Sequence, residues 1–235
     1  RAALIGAAVL AGQLSIGWSN DWFDAARDRA AGRRSKPLVS GALPVSAVAV
    51  AASLAGFVTA VWSLSLGVAA GALHIAGVAA GWLYNWPLKA TAASVLPYLV
   101  GFGALPAFAV IAAGRQPPAW LIAAGALLGA SGHFANVLPD LADDARTGVR
   151  GLPHRLGAAG SRVTVVCCLL LAGGAVVFGP DGPTPRPGLA VLAGAAVALV
   201  GSILTRRRYG ERLLFHVVIG VALAFVALLL TNPAL

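Results

Sequence analysis

The chain has 235 residues, of which 59% are hydrophobic and 11% charged, and its 17 Lys and Arg against 8 Asp and Glu leave a formal net charge of +9. Apolar runs near the ~20 residues that a bilayer-crossing helix needs recur throughout, which excludes an ordinary soluble enzyme and predicts an all-α, polytopic membrane bundle. The basic excess is read as a topology signal with contact to anionic lipid, because no folded basic segment is left over to bind nucleic acid.

Taken in chain order, the apolar runs predict eight spans, near 2–19, 44–65, 67–84, 92–113, 119–136, 158–179, 188–205 and 212–230. The chain starts at Arg1, has no Met, and enters its first apolar run at once. That run is read as a retained helix and not as a cleaved signal peptide, since a polar cluster follows it directly. The whole of 1–235 is read as one transmembrane domain shortened at its N-terminus. Arg27, Arg29, Arg33, Arg34 and Lys36 follow the first span, Lys89 the third, Arg146, Arg150, Arg155 and Arg162 the fifth, and Arg206, Arg207, Arg208 and Arg212 the seventh. Only Arg1, Arg115 and Arg186 fall on the other side, so the basic face is expected to be cytoplasmic. The Ala, Gly and Arg bias, with few Lys, points to a GC-rich bacterial genome and hence to a bacterial cell membrane. Cys167 and Cys168 lie inside a span and are read as small packing residues.

Six of the eight acidic residues fall in two clusters that share the pattern N-x-x-x-D-x-x-x-D, one from Asn20 to Asp28 and one from Asn136 to Asp144. At 100° per residue, Asn20, Asp24 and Asp28 lie within an ~80° arc of a helix, as do Asn136, Asp140 and Asp144. Asp21 can join the first ladder and Asp143 the second. Carboxylates this close in a poorly solvated place repel one another unless they protonate or bind cations. A donor set made only of oxygens favours a hard cation. Mg²⁺ in particular is held by one or two carboxylates plus substrate phosphates. Two matching clusters, returned to one face by four intervening spans, suggest a single site with two walls.

Arg33, Arg34, Lys36, Lys89, Arg146 and Arg150 surround these ladders and can neutralise a diphosphate. Arg206, Arg207 and Arg208 are read as topology signals alone. His74 and His216 are read as hydrogen-bonded packing residues inside spans, and the same structural reading is kept for His133. Gly77 and Gly81 permit close helix approach.

The first cluster, followed by Lys36-Pro37-Leu38-Val39-Ser40-Gly41, resembles the first signature of the UbiA superfamily of intramembrane prenyltransferases. Asp140 to Asp144, followed by Gly148-Val149-Arg150-Gly151-Leu152-Pro153-His154-Arg155-Leu156-Gly157, resembles the second. Lys36 stands where the family usually has Arg, and Gly151 where it usually has Thr. Tyr84-Asn85-Trp86-Pro87-Leu88-Lys89 is similar to a further family segment.

The resemblance covers most of the chain. It implies a nine-helix plan lacking its first helix here, around a central cavity open to the cytoplasmic side. It also implies Mg²⁺-assisted departure of diphosphate from an allylic prenyl diphosphate and transfer to a lipophilic, aromatic acceptor, as in quinone biosynthesis. Asn20, Asp24, Asp28, Asp140 and Asp144 are then the primary metal ligands, with Asp21 and Asp143 secondary. Asn20, Arg34, Lys36, Tyr84, Lys89, Asn136 and Arg150 would bind substrate, with Lys89 counted beside the aspartates as catalytic. Tyr84, Trp86, Tyr98 and Phe102 offer aromatic faces to shield the allylic cation. A terpene cyclase of the same family, and a membrane carrier or non-catalytic homologue, are the competing readings.

Overall fold

Hydropathy of this kind folds only as helices that satisfy their own backbone, and the computed structural model describes residues 1–146, 148–182, 186–204 and 207–231. Their regular structure is entirely helical: α1 (Ala2–Ala30), α2 (Pro37–Ser40), α3 (Val45–Ser65), α4 (Val68–Asn85), α5 (Leu96–Ala112), α6 (Ala119–Val137), α7 (Leu141–Arg146), α8 (Leu152–Phe178), α9 (Arg186–Leu204) and α10 (Arg207–Thr231). Short 3₁₀ turns at Leu88–Ala90, Ala92–Val95 and Leu138–Asp140 join them. Arg206 lies outside the described residues, as do the side chains of Arg207, Arg208 and Arg212.

Each expected span coincides with a long helix. Among the described residues, six helical segments are long and apolar enough to cross a membrane: Ala2–Ala30, Val45–Ser65, Ala92–Ala112, Ala119–Arg146, Leu152–Phe178 and Leu213–Leu230. Val68–Asn85 is not among them, because His74, Tyr84 and Asn85 dilute its apolar character.

Two boundaries depart from expectation, both for local reasons that position the site. The first helix does not stop near residue 19 but runs on to Ala30, since nothing between Ser19 and Ala30 is a Pro or Gly and the acidic cluster is itself helix-compatible. The second cluster, by contrast, is not one helix: α6 ends at Val137, a 3₁₀ turn spans Leu138–Asp140, and α7 begins at Leu141. Pro139 has no N–H to continue the ladder, which tightens the turn there.

Lys36-Pro37-Leu38-Val39-Ser40-Gly41 folds as one helical turn, with Pro37 opening it and Gly41 closing it in the left-handed conformation, φ 80°. Gly157 has φ 67° and ψ 179° inside α8. A Cβ would be strained there, so this glycine makes the bend that separates the Leu152–Leu156 turn from the long apolar stretch beyond it.

The long helices pack as a chain of neighbours, α3 on α1 and α4, α4 on α5, α5 on α6, α6 on α8, with α9 and α10 closing on α8 and α6. One core joins the C-terminal helices around Phe134, Leu138, Val165, Leu169, Leu199 and Phe225. A second joins the N-terminal helices around Ala8, Leu66, Ala70 and Phe108. Buried polar groups staple the N-terminal helices. Ser15 Oγ donates to the Ala52 carbonyl at 2.8 Å and accepts from Trp82 Nε1 at 3.0 Å, tying α1, α3 and α4 together.

Candidate active site

Between α1, α4 and α5 lies a cavity of about 610 Å³, and its walls carry residues of both acidic clusters. Because α1 is unbroken, Asn20, Asp24 and Asp28 project from one face into this cavity, while Asn136 and Asp144 reach it from α6 and α7. Asp140, Asp21 and Asp143 do not line it. Asp140 and Asp143 are exposed, and Asp143 pairs with Arg146 at the surface.

Each carboxylate of the first cluster is met by a cation from another part of the chain. Asp24 is held by Arg27, one turn away, and by Lys89 from the turn after α4. Asp28, nearly fully buried, accepts from Lys36 Nζ at 2.9 Å and from Arg33 at 3.3 Å. Lys36 Nζ also reaches Asp21 at 2.9 Å, so the Pro37–Ser40 turn serves to carry one ammonium onto two carboxylates.

Burial alone would lower the Lys36 pKa, but the bonds to Asp21 and Asp28 overcome it and leave it raised. Lys89 is lowered from the ordinary lysine value, because deeper burial outweighs the help from Asp24.

Sequence reasoning passed over Asn85 and Arg27 as site residues. Asn85 is buried and donates to the Ile16 carbonyl at 2.9 Å and to Ser19 Oγ at 2.8 Å, while Asn20 donates to its Oδ1 at 3.2 Å. It therefore orients the first residue of the ladder. The signal was its place beside Tyr84 at the foot of α4, where a buried amide must find partners. Arg27 and Arg33 line the cavity, whereas Arg34 and Arg150 are exposed and outside its walls, although Val149 is in them.

Aromatic side chains form the next layer inward. Tyr84 meets Tyr98 edge-on with ring centroids 4.9 Å apart, and Tyr98 stacks on Phe102 at 6.0 Å and on His133 at 4.6 Å. Tyr84, Tyr98 and Phe102 line the cavity, but Trp86 is exposed away from it. His133 is buried as expected of a structural residue, its Nε2 3.1 Å from Ser94 Oγ. That serine also accepts from the Leu152 N–H at 2.9 Å, joining the aromatic wall to the start of α8.

A model of the UbiA prenyltransferase family matches residues 1–229. This chain belongs to that family. The fold agrees with solved UbiA structures: a UbiA homologue from Aeropyrum pernix K1 in its apo form is 19% identical with a TM-score of 0.76, covering 96% of this chain and 88% of that one. A UbiA homologue from Archaeoglobus fulgidus bound to GPP and Mg²⁺ is 11% identical with a TM-score of 0.71, covering 98% and 88%. A structure described for digeranylgeranylglyceryl phosphate synthase in membranes is 18% identical with a TM-score of 0.70, covering 96% and 84%. Identities this low show a shared fold. No curated protein matches the UbiA chain in sequence.

The donor chemistry of this UbiA site suits Mg²⁺ on a diphosphate better than a metal held by protein alone. Among the described residues, no three His, Cys, Asp or Glu side chains group closely enough to hold an ion. The cavity walls set Asp24, Asp28 and Asp144 against Arg27, Arg33 and Lys89, so their formal charges cancel. A polyanion entering such a balanced site must bring cations with it, and Mg²⁺ is characteristically shared between one or two carboxylates and phosphate oxygens.

Proposed function

We propose that this protein is an intramembrane prenyltransferase. It moves the prenyl group of an allylic prenyl diphosphate to a lipophilic, aromatic acceptor, with Mg²⁺ as the metal cofactor. The observation that carries this reading is one cavity bearing carboxylates of both clusters and three cations at one end, with aromatic and aliphatic walls beyond them.

On this reading Asn20, Asp24, Asp28, Asn136 and Asp144 would hold Mg²⁺ and substrate from two sides. Mg²⁺, when bound, neutralises charge on the leaving diphosphate. Lys89 and Arg27 exchange Asp24 for phosphate oxygens, and Arg33 adds a planar donor set from the other edge. The C1–O bond breaks with its electron pair leaving on the diphosphate. Tyr84, Tyr98 and Phe102 exclude water from the allylic cation and present π faces to it. The acceptor carbon then bonds to C1 and gives up its proton. The excess of Lys and Arg in these loops supports a cytoplasmic orientation for the charged end of the cavity, in a bacterial cell membrane that the long helices span.

The test is Mg²⁺-dependent diphosphate release from prenyl diphosphates by the protein in lipid, for the native chain and for Asp24→Ala and Asp144→Ala, with products identified by mass. Release lost in both variants and dependent on an added phenolic acceptor supports transfer. Release without acceptor, yielding a hydrocarbon or terpene alcohol, assigns the same site to a cyclase. A folded chain that neither binds nor cleaves any prenyl diphosphate is not an enzyme of this class.

A further inference from the structure

Asp144 is the carboxylate that the second cluster brings to the cavity wall, and it stands on a short helix, α7, that has no buried residue. The turn that opens α8 is the opposite case. Its Leu152 N–H donates to Ser94 Oγ at 2.9 Å, and the carbonyl of the buried Pro153 accepts from Ser161 Oγ at 3.1 Å. Ser94 and Ser161 are both fully buried. His154 faces Asp144 from this pinned turn. Its side chain is 8% exposed and its Nε2 lies 3.8 Å from Asp144 Oδ2. Both ring nitrogens are buried, and neither has a hydrogen-bond partner among the described residues.

An imidazole carries at least one N–H, which needs an acceptor when it is buried. With the proton on Nε2, the Asp144 carboxylate stands before it. With the proton on Nδ1 alone, a donor is stranded and a nitrogen lone pair faces the carboxylate. The first tautomer is therefore favoured.

We propose that His154 is a positioning residue for the second wall, holding Asp144 ready for its cation by donating Nε2–H to Oδ2. The inference rests on the prenyl diphosphate reading above. A charge-assisted bond of about 2.8 Å is roughly 1 Å shorter than the present separation. Rotation of the Asp144 side chain on α7 supplies that movement, while the pinned turn keeps the histidine in place. The carboxylates of the first wall are steadied differently, Asp24 by Lys89 and Arg27 and Asp28 by Lys36 and Arg33. Removing a hydrogen-bond partner of a metal-binding carboxylate typically weakens metal affinity by roughly tenfold to a hundredfold.

The experiment is equilibrium binding of geranyl thiolodiphosphate, an analogue that resists cleavage, to the full chain in lipid nanodiscs across a Mg²⁺ series. Native protein is compared with His154→Leu, His154→Met, His154→Gln, Asp144→Asn and Asp144→Asn/His154→Leu. Leu and Met remove a buried polar group that has no partner, so neither should lower the thermal midpoint. Each should raise the half-saturating Mg²⁺ concentration by roughly tenfold to a hundredfold. His154→Gln keeps an N–H donor and should stay near the native value. In the Asp144→Asn background, His154→Leu should add no more than about a further twofold, because the two residues act as one unit. A native Mg²⁺ requirement in the Leu and Met variants, a Gln variant as impaired as they are, or a full shift in the Asp144→Asn background overturns the positioning role and leaves the diphosphate site intact. A native chain that does not bind the analogue, or binds it without Mg²⁺ dependence, sinks the prenyl diphosphate reading and this inference with it.

Discussion

Gly151 is the residue at which the second signature departs from the usual Thr, and the structure makes the consequence of reversing it calculable. A Cβ at this position would stand 2.7 Å from the Lys89 carbonyl oxygen and 2.8 Å from Ser94 Oγ. Ordinary contact begins at 3.4 Å, so the Leu88–Ala90 turn or the α8 start must give by roughly 0.7 Å in a packed region. Gly151→Ala should therefore cost about 1–3 kcal/mol of overpacking. At roughly 2–4 °C per kcal/mol for a chain of this size, that is a visible fall in thermal midpoint in detergent.

The same turn puts Lys89 Nζ on Asp24. A displacement approaching 1 Å should slow diphosphate release by roughly tenfold to a hundredfold. Gly151→Thr, larger still, should do more of both. Unchanged midpoint and unchanged rate in Gly151→Ala would refute the close approach, and a lowered midpoint with a native rate would detach Lys89's position from the reaction.

Asp24→Asn should reduce diphosphate release by roughly a hundredfold or more, since it removes charge where a cation and phosphate must be organised; a loss below tenfold in a folded variant counts against that role. Asp143→Ala, whose carboxylate pairs at the exposed surface with Arg146, should change release by less than roughly twofold, and a large loss would bring Asp143 into the site. Lys36→Ala takes away the 2.9 Å partner of the buried Asp28 carboxylate and should destabilise by about 1–3 kcal/mol, measured by thermal unfolding. Ser15→Ala strips Trp82 Nε1 and the Ala52 carbonyl of their shared partner and should cost a similar 1–3 kcal/mol, with no change in metal dependence.

The membrane bundle and both acidic clusters were legible because each is a local pattern: apolar length for the spans, i+4 spacing for Asn20, Asp24 and Asp28. Hydropathy marks where a helix can meet lipid, not where it stops, so the continuation of α1 to Ala30 could not be read from it. The second ladder looked like the first on paper, but Pro139 breaks it into a turn and leaves Asp140 facing outward. Partner choice was the least legible part. Nothing local says that Lys89 meets Asp24 or that Lys36 spans Asp21 and Asp28, since the tertiary fold alone brings those positions together. His74 read correctly as hydrogen-bonded, its Nδ1 lying 2.7 Å from Ser63 Oγ.

Under the prenyl transfer proposed above, the pairing of Asp24 with Lys89 and Arg27 also bears on how the site would empty. Every contact that a diphosphate makes with those cations displaces a carboxylate tethered within reach, so the protein carries its own competitor for the product. Once the C1–O bond is broken and the prenyl group is gone, the diphosphate loses its anchorage in the hydrocarbon channel while the tethered rival keeps its high local concentration. Turnover is therefore favoured by the resting ion pairs themselves: they weaken the grip on a leaving group that would otherwise stay bound, and return the lysine and arginine to the state in which the next substrate finds them.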